Sequence, residues 1–282
     1  MAGDAFTIRP MRADEIALAA DWAAAEGWNP GVSDAPCFAT VDAAGFLIGE
    51  LDRKPAATIS CVNYDDSFAF LGCYIVRPDL RGRGLGWRIW QAAIAHAGAR
   101  TIGLDGVVAQ QDNYRKSGFR LAYRNVRYGG RVGAVGAQAR SLTPLADVPL
   151  AIVAADDATV FPAQRLAFLR TWIGTRGHVG RALMRDGALA AWGVIRPCRE
   201  GCKIGPLVAD DRAAAEAVLD ALIAAVGGAD VFLDIPEPNA EAQALAQSRG
   251  LEPVFETARM YTGEVRDVAI QRIFGVTTFE LG

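Results

Sequence analysis

The stretch from Arg77 to Arg88, RPDLRGRGLGWR, sets three glycines (Gly82, Gly84, Gly86) and four arginines (Arg77, Arg81, Arg83, Arg88) between two ordered-looking runs. Before it stands the apolar FAFLGCYIV; after it comes IWQAAIAHA, a helical pattern. A plain strand-to-helix turn has no use for so many of either residue. Glycines let successive backbone N–H groups converge on an anion without Cβ interference, and the following helix points its positive end at the same place. Arginines add charge at the rim. The loop therefore suits a phosphate group. Two phosphate loops fail on spacing: Gly86 is followed by Trp87 and Arg88, not by Lys-Ser/Thr, and the glycines run G-x-G-x-G instead of G-x-G-x-x-G. A third pattern, Arg/Gln-x-x-Gly-x-Gly/Ala, fits Arg81, Gly84 and Gly86.

Other elements must hold that loop in place. FTIRP alternates like a short strand, and DEIALAADWAAAEG reads as a helix with Ile16, Ala19, Ala20 and Ala23 on one face and Gly27 as its stop. The loop WNPGVSDAP leads to strands GFLIGEL and AATISCVNY, joined by the turn DRKP, and FAFLGCYIV follows as a third. Past the glycines, Ile89, Trp90, Ala93, Ile94 and Ala97 share a helical face. Strand TIGLDGV, short helix AQQDNYRKSG and strand FRLAYRNVRY complete the series. GGRVGAVGAQARS is glycine-rich, lacks a period and reads as a linker.

A second series then runs through helix PAQRLAFLRTWIG, two strands in VGRALMRDGALAAWGVIRP, strand GCKIGPLVA and helix DDRAAAEAVLDALIAAV. It ends with strand DVFLDIP, helix NAEAQALAQSRG and strand LEPVFETARMYTG, and KSGFRLAYRNVRYGG parallels QSRGLEPVFETARMYTG. One fold present twice explains the repetition, with two unrelated α/β domains in coincidental order as the alternative. The class is α/β, with an α+β mixed sheet, and the expected boundaries are 1–132, a linker 133–146, and 147–282. The first series has no convincing final strand. The tail RIFGVTTFELG reads as one, and either completes its own domain's sheet or crosses to cover an open edge in the first.

Composition narrows the function. A chain of 282 residues, 51% hydrophobic and 22% charged, is globular and long enough for two cores. A net charge of -3 gives no reason to expect nucleic acid, since the loop arginines make only a short basic face. No apolar run approaches the ~18 residues of a membrane span, and the N-terminus does not read as a signal peptide. Five scattered cysteines form no disulfide framework, which points to the cytoplasm. Cys198 and Cys202 in CREGC are too isolated, with His96 and His178 far away, to make a metal site.

With RGRGLG after CYIV, YRKSGF (Tyr114 to Phe119) and the order from FTIRP to FRLAYRNVRY, the chain resembles the GNAT acetyltransferase superfamily. EGWNPG, FLGCYIVRPDLRGRGLG and RIFGVTTFELG are similar to its tandem subgroup, in which an active first domain precedes a degenerate second one. The resemblance implies that Arg81, Gly82, Arg83, Gly84, Leu85 and Gly86 cradle the diphosphate of coenzyme A. It implies that pantetheine runs along the preceding strand, with a backbone N–H near Ile75 or Val76 as oxyanion donor. In the second half VADDRAAAE stands where the loop belongs, and Asp210 and Asp211 at a helix start would repel a pyrophosphate.

Tyr114 matches the family's general acid; a phenol stays protonated at neutral pH and can donate to a leaving thiolate. The plain alternative is a ring packed in the core. Asn113 is a possible helper at the cofactor. The asparagine that many relatives carry before the tyrosine falls near Val107, so Gln110 or Gln111 stands in for it or the contact is missing. The glutamate that many relatives carry on FAFLGCYIV is missing too, so no side-chain base is evident. Glu26 and Asp34 flank GWNPGVS, where the family binds acceptors; they could attract a cationic amine with Trp28 as a wall, or simply border a turn. Asp234 and Glu237 in FLDIPEP have no assigned role. The expected function is transfer of an acetyl group from acetyl-CoA to a primary amine of a small molecule, without metal. A protein or peptide acceptor, or a non-catalytic acyl-CoA-binding protein, are the alternatives. Nothing in the sequence sets the oligomeric state.

Overall fold

The structure, a computed structural model, describes residues 6–133 and 142–282; most of the expected linker lies outside them. The first half supplies β1 (Phe6–Pro10), α1 (Ile16–Ala25), α2 (Asp34–Phe38), β2 (Phe46–Leu51), β3 (Lys54–Asn63) and β4 (Phe68–Val76). It continues with α3 (Leu85–Ala97), β5 (Thr101–Val107), α4 (Gln111–Lys116) and β6 (Arg120–Arg131). The second half repeats the order as β7 (Thr143–Pro144), α5 (Leu150–Val160), α6 (Leu166–Gly174), β8 (Val179–Arg185), β9 (Ala188–Pro197) and β10 (Cys202–Ala209). It ends with α7 (Arg212–Val226), β11 (Asp230–Pro236), α8 (Ala240–Ser248), β12 (Glu252–Tyr261) and β13 (Ile273–Gly275). Two helices go beyond the sequence reading. α2 is a short helix that begins in the expected loop and runs past it to Phe38, and α5 has no clean apolar stripe because Asp157 is buried among its core positions to meet Arg165 at 2.8 Å. Among the described residues, no helix is long and apolar enough to cross a membrane.

The strands form one continuous sheet in the order β1-β2-β3-β4-β5-β12-β6-β11-β10-β9-β8-β7, with β13 beside β10. Among the described residues, pairing is parallel only at β4–β5 and β10–β11. Each half gives its last long strand to the other. β12 lies against β5 of the first half, β6 lies against β11 of the second, and the two exchanged strands pair antiparallel at the centre. So the strand missing from the first series is β12, not the C-terminal tail.

The exchange is pinned by two matched cross-strand pairs. Arg259 of β12 stands opposite Asp105 of β5, with guanidinium contacts of 2.8 and 2.6 Å, and Arg127 of β6 stands opposite Asp234 of β11 at 2.6 and 2.9 Å. Asp234, unassigned from sequence, is thus a structural partner. Burial is offset in each pair by bidentate, charge-assisted bonding. One apolar core is shared: Phe38, Phe46 and Phe70 of the first half pack in a single cluster with Phe168, Trp172, Trp192 and Leu281 of the second. Separate cores lie under α3 and under α7 and α8.

The tail takes the first of its two expected placements, beside its own half's sheet, and the open edge of the first half is covered by β12 instead. β13 pairs antiparallel with β10 at Leu207 and Val208, and the Val276 N–H donates to the Asp234 carbonyl of β11 at 2.8 Å. The chain thereby fills the gap that opens where β10 and β11 part. Residues 276–282 then run buried into the first half, where the Tyr64 hydroxyl donates to the Leu281 carbonyl at 2.8 Å. Gly72 of β4 admits the Glu280 carbonyl where any Cβ would collide with it.

Two outcomes follow from the exchange. Residues 1–132 made alone leave β6 without any partner strand, so the fragment should be insoluble or unfolded, while co-expression with residues 142–282 should recover a soluble complex in size-exclusion chromatography. Asp234→Ala should lower the unfolding free energy in urea by about 3–5 kcal/mol by leaving Arg127 buried and unpaired, and Asp234→Leu combined with Arg127→Met should recover most of that loss.

Candidate active site

Beyond Leu71 and Leu104 the parallel pair β4–β5 separates. β4 carries a bulge there: Thr58 of β3 faces Ile75 and Ser60 faces Gly72, so Cys73 and Tyr74 share the place of Ile59. Cys73 adopts φ +48°, and the Thr58 hydroxyl donates to its carbonyl at 2.9 Å. A bulge of this kind leaves one residue unpaired and bends the strand. A cleft of about 530 Å³ occupies the gap.

The glycine loop closes one end. Gly82 (φ +79°) and Gly84 (φ +77°) are left-handed, Gly84 is the N-cap of α3, and a Cβ on either would meet nothing within 4 Å. They are glycines for their backbone conformation and for the open space before them, which is the shape of an anion cradle. Gly86 serves packing instead: its Cβ would lie 2.6 Å from the Tyr74 hydroxyl and 3.0 Å from a Val76 methyl. Arg77 is tied to Asp79 at 2.7 Å, and Arg88 donates to the Phe6 carbonyl at 3.0 Å over the Phe6 ring. Arg81 donates from Nε to the Val76 carbonyl at 3.0 Å and forms an ion pair with Glu26 across the mouth of the cleft.

Of the residues singled out from sequence, Ile75, Val76, Arg81, Gly82, Gly84, Leu85, Gly86, Tyr114, Glu26 and Trp28 all line this cleft. Arg83, Asn113 and Asp34 do not. The Asn113 amide faces outward and donates to the Gln110 side chain at 2.7 Å; Gln110 is the one of the two glutamines that reaches the cleft. Asp34 is corrected more sharply. It is fully buried, accepts the Gly31 N–H at 2.9 Å and meets Arg196 of β9 at 2.9 Å, with His178 at 3.8 Å. Burial, then Arg196, push His178 down to about 4, so the imidazole is neutral near pH 7 and Asp34 joins the two halves through Arg196.

Tyr114 lies nearly parallel to Trp90 with centroids 5.8 Å apart, and Gly106 on β5 leaves the space its ring occupies. Burial, then the neighbouring Tyr74, push its phenol up to about 12. It therefore stays protonated throughout the neutral range. The opposite wall was not legible in sequence: Phe255 and Thr257 come from β12, Phe279 and Glu280 from the tail, and Asp105 from β5. The exchanged strand brings the first two, and no local pattern signals an exchange.

The corresponding place in the second half is occupied by the chain itself. The Asp211 carboxylate accepts the Ala214 N–H at 2.8 Å as N-cap of α7 and pairs with Arg185 at 2.8 Å, so the helix end already holds an anion. The tail fills the β10–β11 gap.

A family model described as Acetyltransferase (GNAT) family matches residues 14–119, and one described as Acetyltransferase (GNAT) domain matches residues 153–275. Holothin acyltransferase of Pseudoalteromonas sp. (strain SANK 73390) is 32% identical over 281 residues, covering 98% of this chain and 95% of that protein. Among solved structures, a putative acetyltransferase from Pyrococcus horikoshii superposes with a TM-score of 0.81 at 22% identity, over 98% of this chain and 96% of its own. A tandem GNAT protein from the clavulanic acid biosynthesis pathway superposes with a TM-score of 0.62 at 16% identity, over 93% and 100%. With an open cradle and cleft in one half and the same fold repeated in the other, this chain belongs to the GNAT acetyltransferase family as two such domains in tandem.

Proposed function

We propose that this acyltransferase moves an acetyl group from acetyl-CoA to a primary amine of a small molecule, and that the chemistry belongs to the first half alone. The observation that carries the reading is the contrast between the halves: open left-handed glycines lead into a cleft in one, while Asp211 and the tail fill the equivalent place in the other. Similarity to an acyltransferase named for holothin supports a small-molecule acceptor.

The cradle at Gly82 and Gly84 fits a diphosphate, because backbone N–H groups at a helix N-terminus favour an anion and no side chain obstructs them. When bound, acetyl-CoA supplies an activated acyl carbon and a thiolate leaving group. Where β4 and β5 part, the β5 side of β4 has no strand partner, so a backbone N–H near Ile75 can meet an oxyanion, a preorganised donor of the kind that lowers acyl-transfer barriers. Tyr114 holds a proton for the thiolate. Trp28, Phe255 and Phe279 wall the acceptor side.

Thiol release from acetyl-CoA, followed with 2-phenylethylamine, tryptamine, histamine, putrescine and glucosamine as acceptors, tests the reading; no release with any amine would overturn it. Calorimetric titration should give one acetyl-CoA site per chain, abolished by Gly84→Asp, which adds a strained Cβ and a negative charge. Two equivalent sites would defeat the division of labour. Tyr114→Phe should lower kcat about 10- to 10⁴-fold with little change in acetyl-CoA affinity. Because the raised phenol keeps its proton until about pH 12, wild-type kcat should show no basic fall due to Tyr114 below about pH 11. A basic limb near neutrality that vanishes in Tyr114→Phe would contradict that assignment.

A further inference from the structure

Among the described residues, five acidic side chains are buried where the halves meet, and four of them carry a guanidinium. Asp34 meets Arg196 at 2.9 Å, Asp105 meets Arg259 at 2.6 Å, Asp157 meets Arg165 at 2.8 Å and Asp234 meets Arg127 at 2.6 Å. Glu280 is the exception. It is 3% exposed, its carboxylate accepts a hydrogen bond from the Thr278 hydroxyl, and among the described residues it stands in no ion pair. It also lines the cleft. A buried carboxylate without a cationic partner is costly, and such groups concentrate at sites of chemistry.

Its place in the cleft is set by the backbone. The Glu280 carbonyl packs on Gly72, one residue before Cys73 of the β4 bulge, and the Glu280 charge helps burial raise the Cys73 thiol. The carboxylate thus sits beside the strand segment that faces the acyl group under the proposed function. The charged groups that sense it are Arg127 on β6, Arg196 on β9 and Lys203 on β10. Arg127 is bonded to Asp234 and the Trp28 carbonyl, whereas Arg196 meets Asp34 through Nε and its two Nη atoms have no hydrogen-bond partner. Burial, then Arg127, push the Lys203 ammonium down, and its Nζ has no hydrogen-bond partner. None of the three neutralises Glu280 through a direct bond. Its remaining oxygen valence is available to a donor entering the cleft, and an ammonium group is such a donor.

We propose that the Glu280 carboxylate, delivered by the second half's tail, accepts a proton from the acceptor amine in the first half's cleft. The inference rests on the acyl-transfer reading above. An incoming ammonium gives one proton to Glu280 and becomes a neutral amine. Its lone pair forms the C–N bond as the C–S bond breaks, and the thiolate takes the Tyr114 proton. The second proton leaving nitrogen restores Tyr114, and Glu280 returns its own to solvent, for a net release of one proton. The tail is then more than a plug: it completes the active half with the acid that β4 lacks.

The test uses the full chain, acetyl-CoA and whichever amine of the panel above gives the fastest thiol release. Glu280→Gln keeps the side-chain shape and should lower kcat/KM at pH 7 by about 10²- to 10⁴-fold, with calorimetric acetyl-CoA affinity unchanged. The deficit should shrink at least about tenfold by pH 10, where the amine is increasingly neutral without help. Glu280→Asp, which keeps the charge on a shorter arm, should retain part of the activity and the wild-type pH profile. A Glu280→Gln variant matching wild type at pH 7 overturns the proposal. So does a loss equal at every pH, or one that follows acetyl-CoA affinity, since either marks a packing role. If wild type binds acetyl-CoA but serves no amine, the acyl-transfer reading fails first and takes this proposal with it.

Discussion

The architecture depends on the paired aspartates and arginines at the centre of the sheet. A strand in the interior of a sheet must satisfy its N–H and C=O groups on both sides. Each exchanged strand finds both partners in the other half: β11 and β12 for β6, β5 and β6 for β12. Backbone bonding alone permits many registers, because ladders are indifferent to side chains. Asp105–Arg259 and Asp234–Arg127 remove that freedom, since each buried charge has its counter-ion only at one register. From this register follow the wall of the cleft at Phe255 and Thr257, the shared core around Trp172 and the path of the tail.

Two copies of one fold have diverged by small means. The first keeps glycines before its helix and leaves the gap between its parallel strands open. In the second, one acidic cap and one three-residue strand take up the equivalent spaces. Neither change disturbs the layers, so the second half retains a full core under α7 and α8 and serves as framework. The tail that fills one gap then continues to the rim of the other.

Legibility from sequence tracked how local each cause is. The cradle was readable because Arg81 to Gly86 is contiguous and its chemistry is carried by glycine spacing. The place of Tyr114 at the cleft was readable from YRKSGF. Asp34 was not, because its partner Arg196 is 162 residues away and a surface acid beside an Asn-Pro-Gly turn looks the same. α5 is not legible because its helical face is broken by Asp157, whose burial makes sense only once Arg165 is in place. The repeat of strand and helix was plain, but the destination of each last strand was not. LEPVFETARMY has the pattern of a sheet strand whichever edge it joins.

The exchange also sets a timetable for synthesis. β6 ends at Arg131, whereas its partner strands span Asp230–Pro236 and Glu252–Tyr261. At about 5–20 residues per second, a growing chain holds β6 unpaired for several seconds to tens of seconds. During that interval the edge of β5 is open as well, so the nascent first half presents two unsatisfied strands to its surroundings. Pairings of such long sequence separation are slow to close and prone to association with other chains. The charges along β6, at Arg120, Arg124, Arg127 and Arg131, discourage another copy of the same strand from docking there first. The arginine that later locks the register therefore guards the strand while it waits.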